Sequence, residues 1–413
     1  MAVEYRIGDC LEVLKEYPDN HFSSCVSDPP YGLAFMSMKW DKVEVYPFTL
    51  GWGKEVFRVL KPGAWLAAFG GTRTWHRQAC ALEDAGFEYR DTLMWLYGSG
   101  FPKSLDVSKA IDKHLGVQRT VIGQSDEGCH NKNTMHKTDG FAASRDETFD
   151  ITAPATPDAK KWQGWGTALK PAWEPILLCR KPLDGTVAGN TLKHGTGGIN
   201  VDGCRIGVEL IPSQERGNAR VTDFASGGFT PEHNGRWPAN LVLDDDSAAM
   251  LDEQSGVRPS SFRAQGCIVE GETGSPFGNT SRGPILYDDV GGASRFFYTA
   301  KASRSERERG VKSPKHPTPG VLSGRAEAAV GAATAPARNH HPTVKPLDLM
   351  QWLVRLVTPK EGICLEPFAG SGTTILACQL EGRDCLGIEK DAQYEPIIRG
   401  RLGWSIESYV EGH

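Results

Sequence analysis

GICLEPFAGSGTTILACQLEG, residues 362–382, is the stretch that decides the fold. A short apolar run leads into a turn broken by Gly370 and Gly372, and TTILACQL then has the length and composition of a helix. The next segment, RDCLGIEKD at 383–391, supplies a second strand that ends at Glu389. Strand, glycine turn, helix and strand together make half of a nucleotide-binding α/β fold. Gly370 and Gly372 let the backbone approach a ligand where a Cβ would collide. Thr373 and Thr374 open the helix and are placed to cap it. Glu389 follows Gly370 by 19 residues, the separation at which an acidic side chain on the second strand receives two ribose hydroxyls. The turn is no complete dinucleotide fingerprint and lacks a phosphate-loop lysine. The ligand it fits carries adenosine and ribose but little or no phosphate, and a purely structural glycine turn is the alternative.

Working outward, PLDLMQWLVRLVTP at 346–359 has helical spacing. At the other end of the chain, CLEVLKEYPDN reads as a short amphipathic helix and HFSSCVSDPPYG as a strand running into a Pro-Pro turn. This puts Asp28 at the C-terminal end of a strand. Residues 49–61 read as a helix, AWLAAFG as a strand, RTWHRQACALEDAGF as a helix and EYRDTLMWLYG as a strand. The alternation predicts an α/β sheet.

The middle reads differently. Residues 116–160 are rich in Gly, Asp, Lys, Thr and Pro and predict a loop-rich insertion, after which KPAWEPILLCRKP predicts a strand. Residues 183–290 read as an irregular inserted module with short strand-like runs such as ANLVLD, and 295–300 as a return to the sheet. Residues 301–320 hold six Lys or Arg and two Glu, a local charge of +4, ahead of an Ala, Gly and Pro-rich stretch at 321–338. That is a mobile basic linker or a solvated surface segment.

Composition sets outer limits. The 413 residues suffice for two or three domains, or for one large α/β domain with insertions. The balance of 46 basic and 51 acidic residues, 46 − 51 = −5, argues against a strongly basic nucleic-acid-binding body while leaving room for a basic cleft. Glu4, Arg6 and Asp9 stand where a signal peptide needs an apolar run, and no apolar stretch reaches about 20 residues. An intracellular, cytoplasmic protein with reduced thiols and no membrane partner is expected. The ten cysteines form no compact four-ligand cluster. Cys129 and His130 in the insertion, and the neighbours His340 and His341, are poor grounds for a metal, and none is expected. Cys364, Cys378 and Cys385 lie among apolar residues and read as packing groups.

The second chemical motif is Asp28-Pro29-Pro30-Tyr31. Two prolines stiffen a turn directly after an apolar strand, holding the Asp28 carboxylate and a backbone carbonyl towards one point. Such acceptors suit an amine. The amino group of a nucleobase is a weak nucleophile because its lone pair is delocalised into the ring. Acceptors for its hydrogens favour a more nucleophilic nitrogen, and Tyr31 can stack on a base taken out of its helix. Alternatively, DPPY is simply a structural turn.

DPPYG at 28–32 resembles the catalytic motif of amino-group DNA methyltransferases, and EPFAGSGTT at 366–374 resembles their S-adenosylmethionine loop. Catalytic motif first and cofactor loop last, with a recognition region between, is similar to the beta class. HPTVKP at 341–346, WEPILLCRK at 173–181 and FFYTAKASRSER at 296–307 extend the match. The resemblance implies a Rossmann-like, circularly permuted S-adenosylmethionine-dependent methyltransferase sheet with an inserted target-recognition region. The expected organisation is a catalytic part at 1–115, a loop-rich insertion at 116–160, a return to the sheet at 161–182 and a target-recognition module at 183–290. A sheet return and basic linker at 291–338 and a cofactor-binding part at 339–413 complete it.

The resemblance also implies residue roles. Glu366, Pro367, Phe368, Gly370, Gly372 and Thr373 belong to the cofactor loop, with Glu389 holding the ribose. Asp9 and Cys10 lie beside the adenine ring of the cofactor. Thr343 and Lys345 approach its methionine part, Lys345 being suited to the carboxylate; on their own they read equally as a helix-entry Thr and a surface Lys. Transfer is expected to be direct, without a covalent enzyme intermediate and without a metal, giving S-adenosylhomocysteine. Asp28 and the Pro29 carbonyl accept amino hydrogens, while proton abstraction by Asp28 is a separate claim. Asp at the first motif position leans towards adenine N6, with cytosine N4 the alternative. Double-stranded DNA is the implied partner, with Arg304, Arg307 and Arg309 as phosphate-contact candidates. The class also admits a homodimer and a cognate restriction endonuclease. Outside this reading stand an RNA or protein amine methyltransferase and a DNA-binding protein with an inactive methyltransferase fold. A cytosine-C5 enzyme is disfavoured because no cysteine matches its nucleophile.

Overall fold

The computed structural model describes residues 2–33, 39–98, 100, 104–125, 149–211, 214–215, 229–230, 233–259, 290–300, 304–311, 316–319 and 333–403. Nine of its strands share one sheet: β1 (Val3–Ile7), β2 (Phe22–Ser27), β3 (Leu60–Phe69), β4 (Glu88–Leu96), β5 (Trp173–Arg180), β6 (Leu241–Asp244), β7 (Tyr298–Ala300), β8 (Ile363–Glu366) and β9 (Asp384–Glu389). Their spatial order is β1-β9-β8-β2-β3-β5-β4-β6-β7. Neighbours are parallel except where β5 runs antiparallel to β3 and β4.

Both faces of this sheet are covered, which is why β3 and β5 carry the unbroken apolar runs AWLAAF and ILLC. Alternate residues serve opposite layers. Val26, Trp65, Ala67 and Phe69 pack beneath the helices Leu347–Val357 and Thr373–Leu380. Cys25, Leu66 and Ala68 pack with Leu14, Trp52, Val56 and Leu82 from the helices Cys10–Leu14, Val45–Val59 and Trp75–Asp84. The helix Leu347–Val357 buries nine of its 11 residues. At about 1.5–3 kcal/mol for each large apolar side chain, that helix binds the C-terminal part firmly to the sheet.

The permuted order expected from the motifs is present. β8 from the C-terminal end lies beside β2 from the N-terminal end, with Cys364 opposite Ser24 and Leu365 opposite Cys25. The two strands end at the same edge, so the turn after β2 and the loop after β8 emerge together. The expected N-terminal alternation also holds, with the helix expected at 49–61 running over Val45–Val59 and β3 starting directly after it.

Two expectations need correcting. The stretch 183–290 was expected to be an inserted module with short strand-like runs such as ANLVLD, yet that run joins the main sheet: Leu241–Asp244 forms β6, parallel to β4, with Val242 and Leu243 buried. A run of this length can be read as a strand but does not say which sheet it joins. Thr373 and Thr374 do not cap their helix. Gly372 occupies the cap position with φ +77° and no side-chain cap bond, while the Thr374 hydroxyl turns back to donate to Glu366 Oε2 at 2.6 Å. In the 116–160 insertion, Val121–Ser125 and Phe149–Thr152 pair as a hairpin apart from the main sheet. Cys129 and His130 lie outside the described residues.

Candidate active site

Strand ends assemble the site. Asp28 follows the last residue of β2, and its turn is held by Asp41, a buried carboxylate the sequence reading missed. Asp41 Oδ1 accepts from the backbone N–H groups of Tyr31 and Gly32 at 2.8 and 2.9 Å, and Oδ2 from that of Leu33 at 3.1 Å. The Thr74 hydroxyl donates to the Tyr31 carbonyl at 2.8 Å. The DPPYG backbone is thereby fixed on both sides, as a site for a positioned amine requires.

The side chains of this turn converge with residues from two other elements. The Tyr31 hydroxyl donates to Asp28 Oδ1 at 2.6 Å and lies 3.2 Å from Glu174 Oε2. Lys345 Nζ donates to Asp28 Oδ2 at 2.7 Å and sits 3.3 Å from Glu174 Oε2. Glu174, on β5, is a second residue the sequence reading missed, although it stands in the quoted segment WEPILLCRK. Burial alone would lower the Lys345 ammonium, but Asp28 and Glu174 hold it above its ordinary value. Burial, then the same two carboxylates, pushes the Tyr31 phenol well up, so it remains a neutral donor. Tyr31 is half-buried against the core, its hydroxyl turned onto Asp28. Lys345 likewise lies against the carboxylates of Asp28 and Glu174.

On the cofactor side, Glu366 is fully buried and faces inward. Its carboxyl accepts from the Ser27 hydroxyl at 2.6 Å, the Thr374 hydroxyl at 2.6 Å and the Phe368 N–H at 2.9 Å. Burial pushes it up to about 8. It therefore ties the loop after β8 to the end of β2, one residue from Asp28. Phe368 packs against Phe48 and Trp52, and Pro367 is buried. Gly370 has φ +54°, and a Cβ there would lie 2.8 Å from His341 Nε2. Burial brings His341 down to about 3, so a neutral ring backs the loop. Beneath it, the buried Arg401 donates to the Ser371 carbonyl at 3.1 Å and to Thr373 Oγ1 at 2.7 Å. Neither His341 nor Arg401 was singled out as a site residue.

Glu389 ends β9, with Oε2 accepting from the Gly370 N–H at 2.6 Å and Oε1 from the Asp391 N–H at 2.8 Å. Its burial raises it above the ordinary carboxylate value. Each oxygen keeps a further acceptor site for a hydroxyl. Asp9 caps the helix Cys10–Leu14 through the Leu11 N–H at 3.0 Å and pairs with Lys390 at 2.8 Å. The Cys10 thiol is pushed up to about 12 by burial, which leaves it inert as a nucleophile. The Thr343 N–H lies 3.4 Å from His341 Nδ1. Of the arginines expected on DNA, Arg307 donates to the His341 carbonyl at 3.3 Å, and the side chain of Arg304 lies outside the described residues.

Residues 22–399 match the protein family described as DNA methylase, N6_N4_Mtase. The chain belongs to that family. Membership makes this methylase an S-adenosylmethionine-dependent DNA methyltransferase that acts on an exocyclic amino group, N6 of adenine or N4 of cytosine. Among relatives, Type II methyltransferase M.HindIII of Haemophilus influenzae is 22% identical over 355 residues, 85% of this chain and 67% of its own length. Type II methyltransferase M.ScaI of Streptomyces caespitosus is 36% identical over 93 residues, 21% of this chain and 29% of its own. Among solved structures, the cytosine-N4-specific PvuII DNA methyltransferase aligns with TM-score 0.43 and 13% identity, over 98% of this chain and 89% of that one. The M1.HpyAVI–SAM complex aligns with TM-score 0.37 and 14% identity, over 97% and 98%.

The residues present fit the cofactor. A buried carboxylate ends the strand after the glycine loop, as ribose binding needs, and no phosphate-binding lysine competes there. Asp28, Glu174 and Lys345 together carry a formal charge of −1, which complements a sulfonium cation. Among the described residues no group of three or more His, Cys, Asp or Glu is arranged to hold a metal, and no helix is long and apolar enough to cross a membrane.

Proposed function

We propose that this methylase is a site-specific adenine-N6 methyltransferase acting on double-stranded DNA in the cytoplasm of a bacterial cell. The observation that carries the reading is the Ser27–Glu366 hydrogen bond of 2.6 Å, which locks the turn bearing Asp28 to the turn of the glycine loop. Asp at the first position of the motif favours adenine over cytosine. S-adenosylmethionine, when bound, supplies an electrophilic methyl group on a sulfonium.

The protein's part is to bind, orient and accept. Glu389 takes the ribose hydroxyls, while the backbone at Gly370 and Gly372 comes close to the ligand. Asp9 and Cys10 lie at the end of β1, beside β9 in the sheet, where the adenine ring of the cofactor is expected. Asp28 and the Pro29 carbonyl accept the two hydrogens of the flipped base's amino group, which turns its nitrogen lone pair towards the methyl. Tyr31 leaves Asp28 to stack on that base. The 183–290 stretch and the basic residues of 301–320 supply the DNA contacts, with Arg304 and Arg309 as phosphate partners. Arg307 contributes chiefly by holding the His341 backbone.

The deciding experiment is transfer of labelled methyl to unmodified DNA, followed by nucleoside mass spectrometry and mapping of the labelled sequences. N6-methyladenine is the expected product. N4-methylcytosine would reassign the base, and label in RNA but not DNA would reassign the substrate. Asp28→Ala is expected to abolish transfer with cofactor affinity retained. Glu389→Ala is expected to weaken cofactor binding about 100-fold, two hydrogen bonds at roughly 1–1.5 kcal/mol each, and unchanged calorimetric affinity would reject its ribose role.

A further inference from the structure

Asp28 already holds two donors. Its two oxygens hold the Tyr31 hydroxyl at 2.6 Å and the Lys345 ammonium at 2.7 Å. Each oxygen keeps a further acceptor site, but a base amine bound there shares the carboxylate with an ammonium whose charge-assisted bond is about twice as strong as its own. Asp28 stays neutralised beside the amine unless the ammonium has another anion to go to.

Glu174 is placed to be that anion. Its Oε2 lies 3.3 Å from Lys345 Nζ and 3.2 Å from the Tyr31 hydroxyl, so both donors on Asp28 already face it. It is the second residue of β5, opposite Trp95 of β4, which gives it a rigid backbone. Lys345 Nζ instead ends a flexible four-carbon stem and needs to move less than about 1 Å to complete a full bond to Glu174.

We propose that Glu174 is a positioning residue that draws Lys345 and the Tyr31 hydroxyl off Asp28 as the target amine enters. The total charge of the three ionised groups does not change in this exchange. Before it, Asp28 is neutralised and Glu174 carries the excess negative charge. After it, Glu174 is neutralised and Asp28 carries that charge, at the place where the amine nitrogen becomes cationic during transfer. The Asp28–Lys345 pair is thus a resting arrangement that keeps the acceptor neutralised until the amine arrives. This inference rests on the reading that Asp28 accepts the amine hydrogens.

The test is a double-mutant cycle on the full chain, with Glu174→Gln, Lys345→Met and both together. Steady-state transfer of labelled methyl to unmodified DNA gives kcat and KM, and calorimetry gives the affinity for S-adenosylmethionine. E174Q is expected to lower kcat at least tenfold with cofactor affinity within twofold of the parent. K345M is expected to cost less than E174Q, and adding E174Q to K345M is expected to cost less than threefold more. Equal factors for E174Q with and without Lys345, near-parental turnover by E174Q, a tenfold loss of its cofactor affinity, or undetectable turnover by K345M would each overturn the proposal. Asp28→Ala separates the two levels. Parental turnover by D28A removes the underlying reading, whereas an inactive D28A beside an uncoupled Glu174 removes only this inference.

Discussion

Glu366→Gln is the most informative stability experiment the site offers. In the fold Glu366 is buried and raised to about 8, with burial as the cause, and it meets two hydroxyls and one N–H. A neutral carboxyl satisfies this environment well, because each hydroxyl can rotate to donate or accept. In the unfolded chain the group has its ordinary value near 4.5. Between these two values the folded protein holds a proton that the unfolded chain releases, so stability falls as pH rises through that window. The stabilisation from this group is complete below about 4.5 and lost by about 8. Gln is neutral throughout and retains the shape. Every tenfold difference in proton affinity between the folded and unfolded chain is worth about 1.4 kcal/mol, so the parent should lose roughly 3 kcal/mol relative to E366Q between pH 5 and pH 8. For a chain of this size that corresponds to about 4 °C in Tm. Thermal or urea unfolding of both proteins at pH 5, 6, 7 and 8 measures it, the parent-minus-variant difference cancelling every other titrating group. A difference that does not change with pH would refute the assignment of a buried neutral carboxyl at this position.

Two further substitutions probe the supports of the site. Gly370→Ala places a Cβ 2.8 Å from His341 Nε2 at a φ of +54°, and calorimetry is expected to show cofactor affinity reduced at least tenfold in a protein that still folds. Asp41→Ala leaves the N–H groups of Tyr31, Gly32 and Leu33 without their shared acceptor. It is expected to cost about 2–4 kcal/mol by urea unfolding and to lower kcat far more than cofactor affinity, since only the catalytic turn is loosened.

Much of the fold was legible because its signals are local. The glycine turn between an apolar strand and a helix, and Glu389 at the end of the next strand, can be read within one 30-residue window. The joining of the two chain ends was legible only through the order of the motifs, since nothing in either end alone states which strand it will lie beside. β6 was legible as a strand-like run within ANLVLD, but its place beside β4 was not, because a run that short does not say which strand it will pair with. Asp41, Glu174 and Arg401 escaped for a different reason. Each acts on residues distant in sequence or on backbone atoms, and an Asp in KWD or a Glu in WEPILL looks like any polar residue until the partner is brought to it. Lys345 was singled out through its motif, whereas the carboxylates that hold it become visible only when β2, β5 and the segment before Leu347–Val357 meet.

The adjacency of β8 and β2 also sets a schedule for biosynthesis. On a ribosome the turn bearing Asp28 and its strand emerge early, but the neighbour that completes their sheet is made more than 300 residues later. At roughly 5–20 residues per second, that leaves the edge of β2 unpaired for tens of seconds. During that interval the nascent chain has an open apolar sheet edge at what will become its centre, a place for chaperones to bind or for premature strands to pair wrongly. A message truncated before residue 363 would therefore yield a product missing two adjacent strands from within the sheet, β8 and β9, not a trimmed but otherwise sound enzyme.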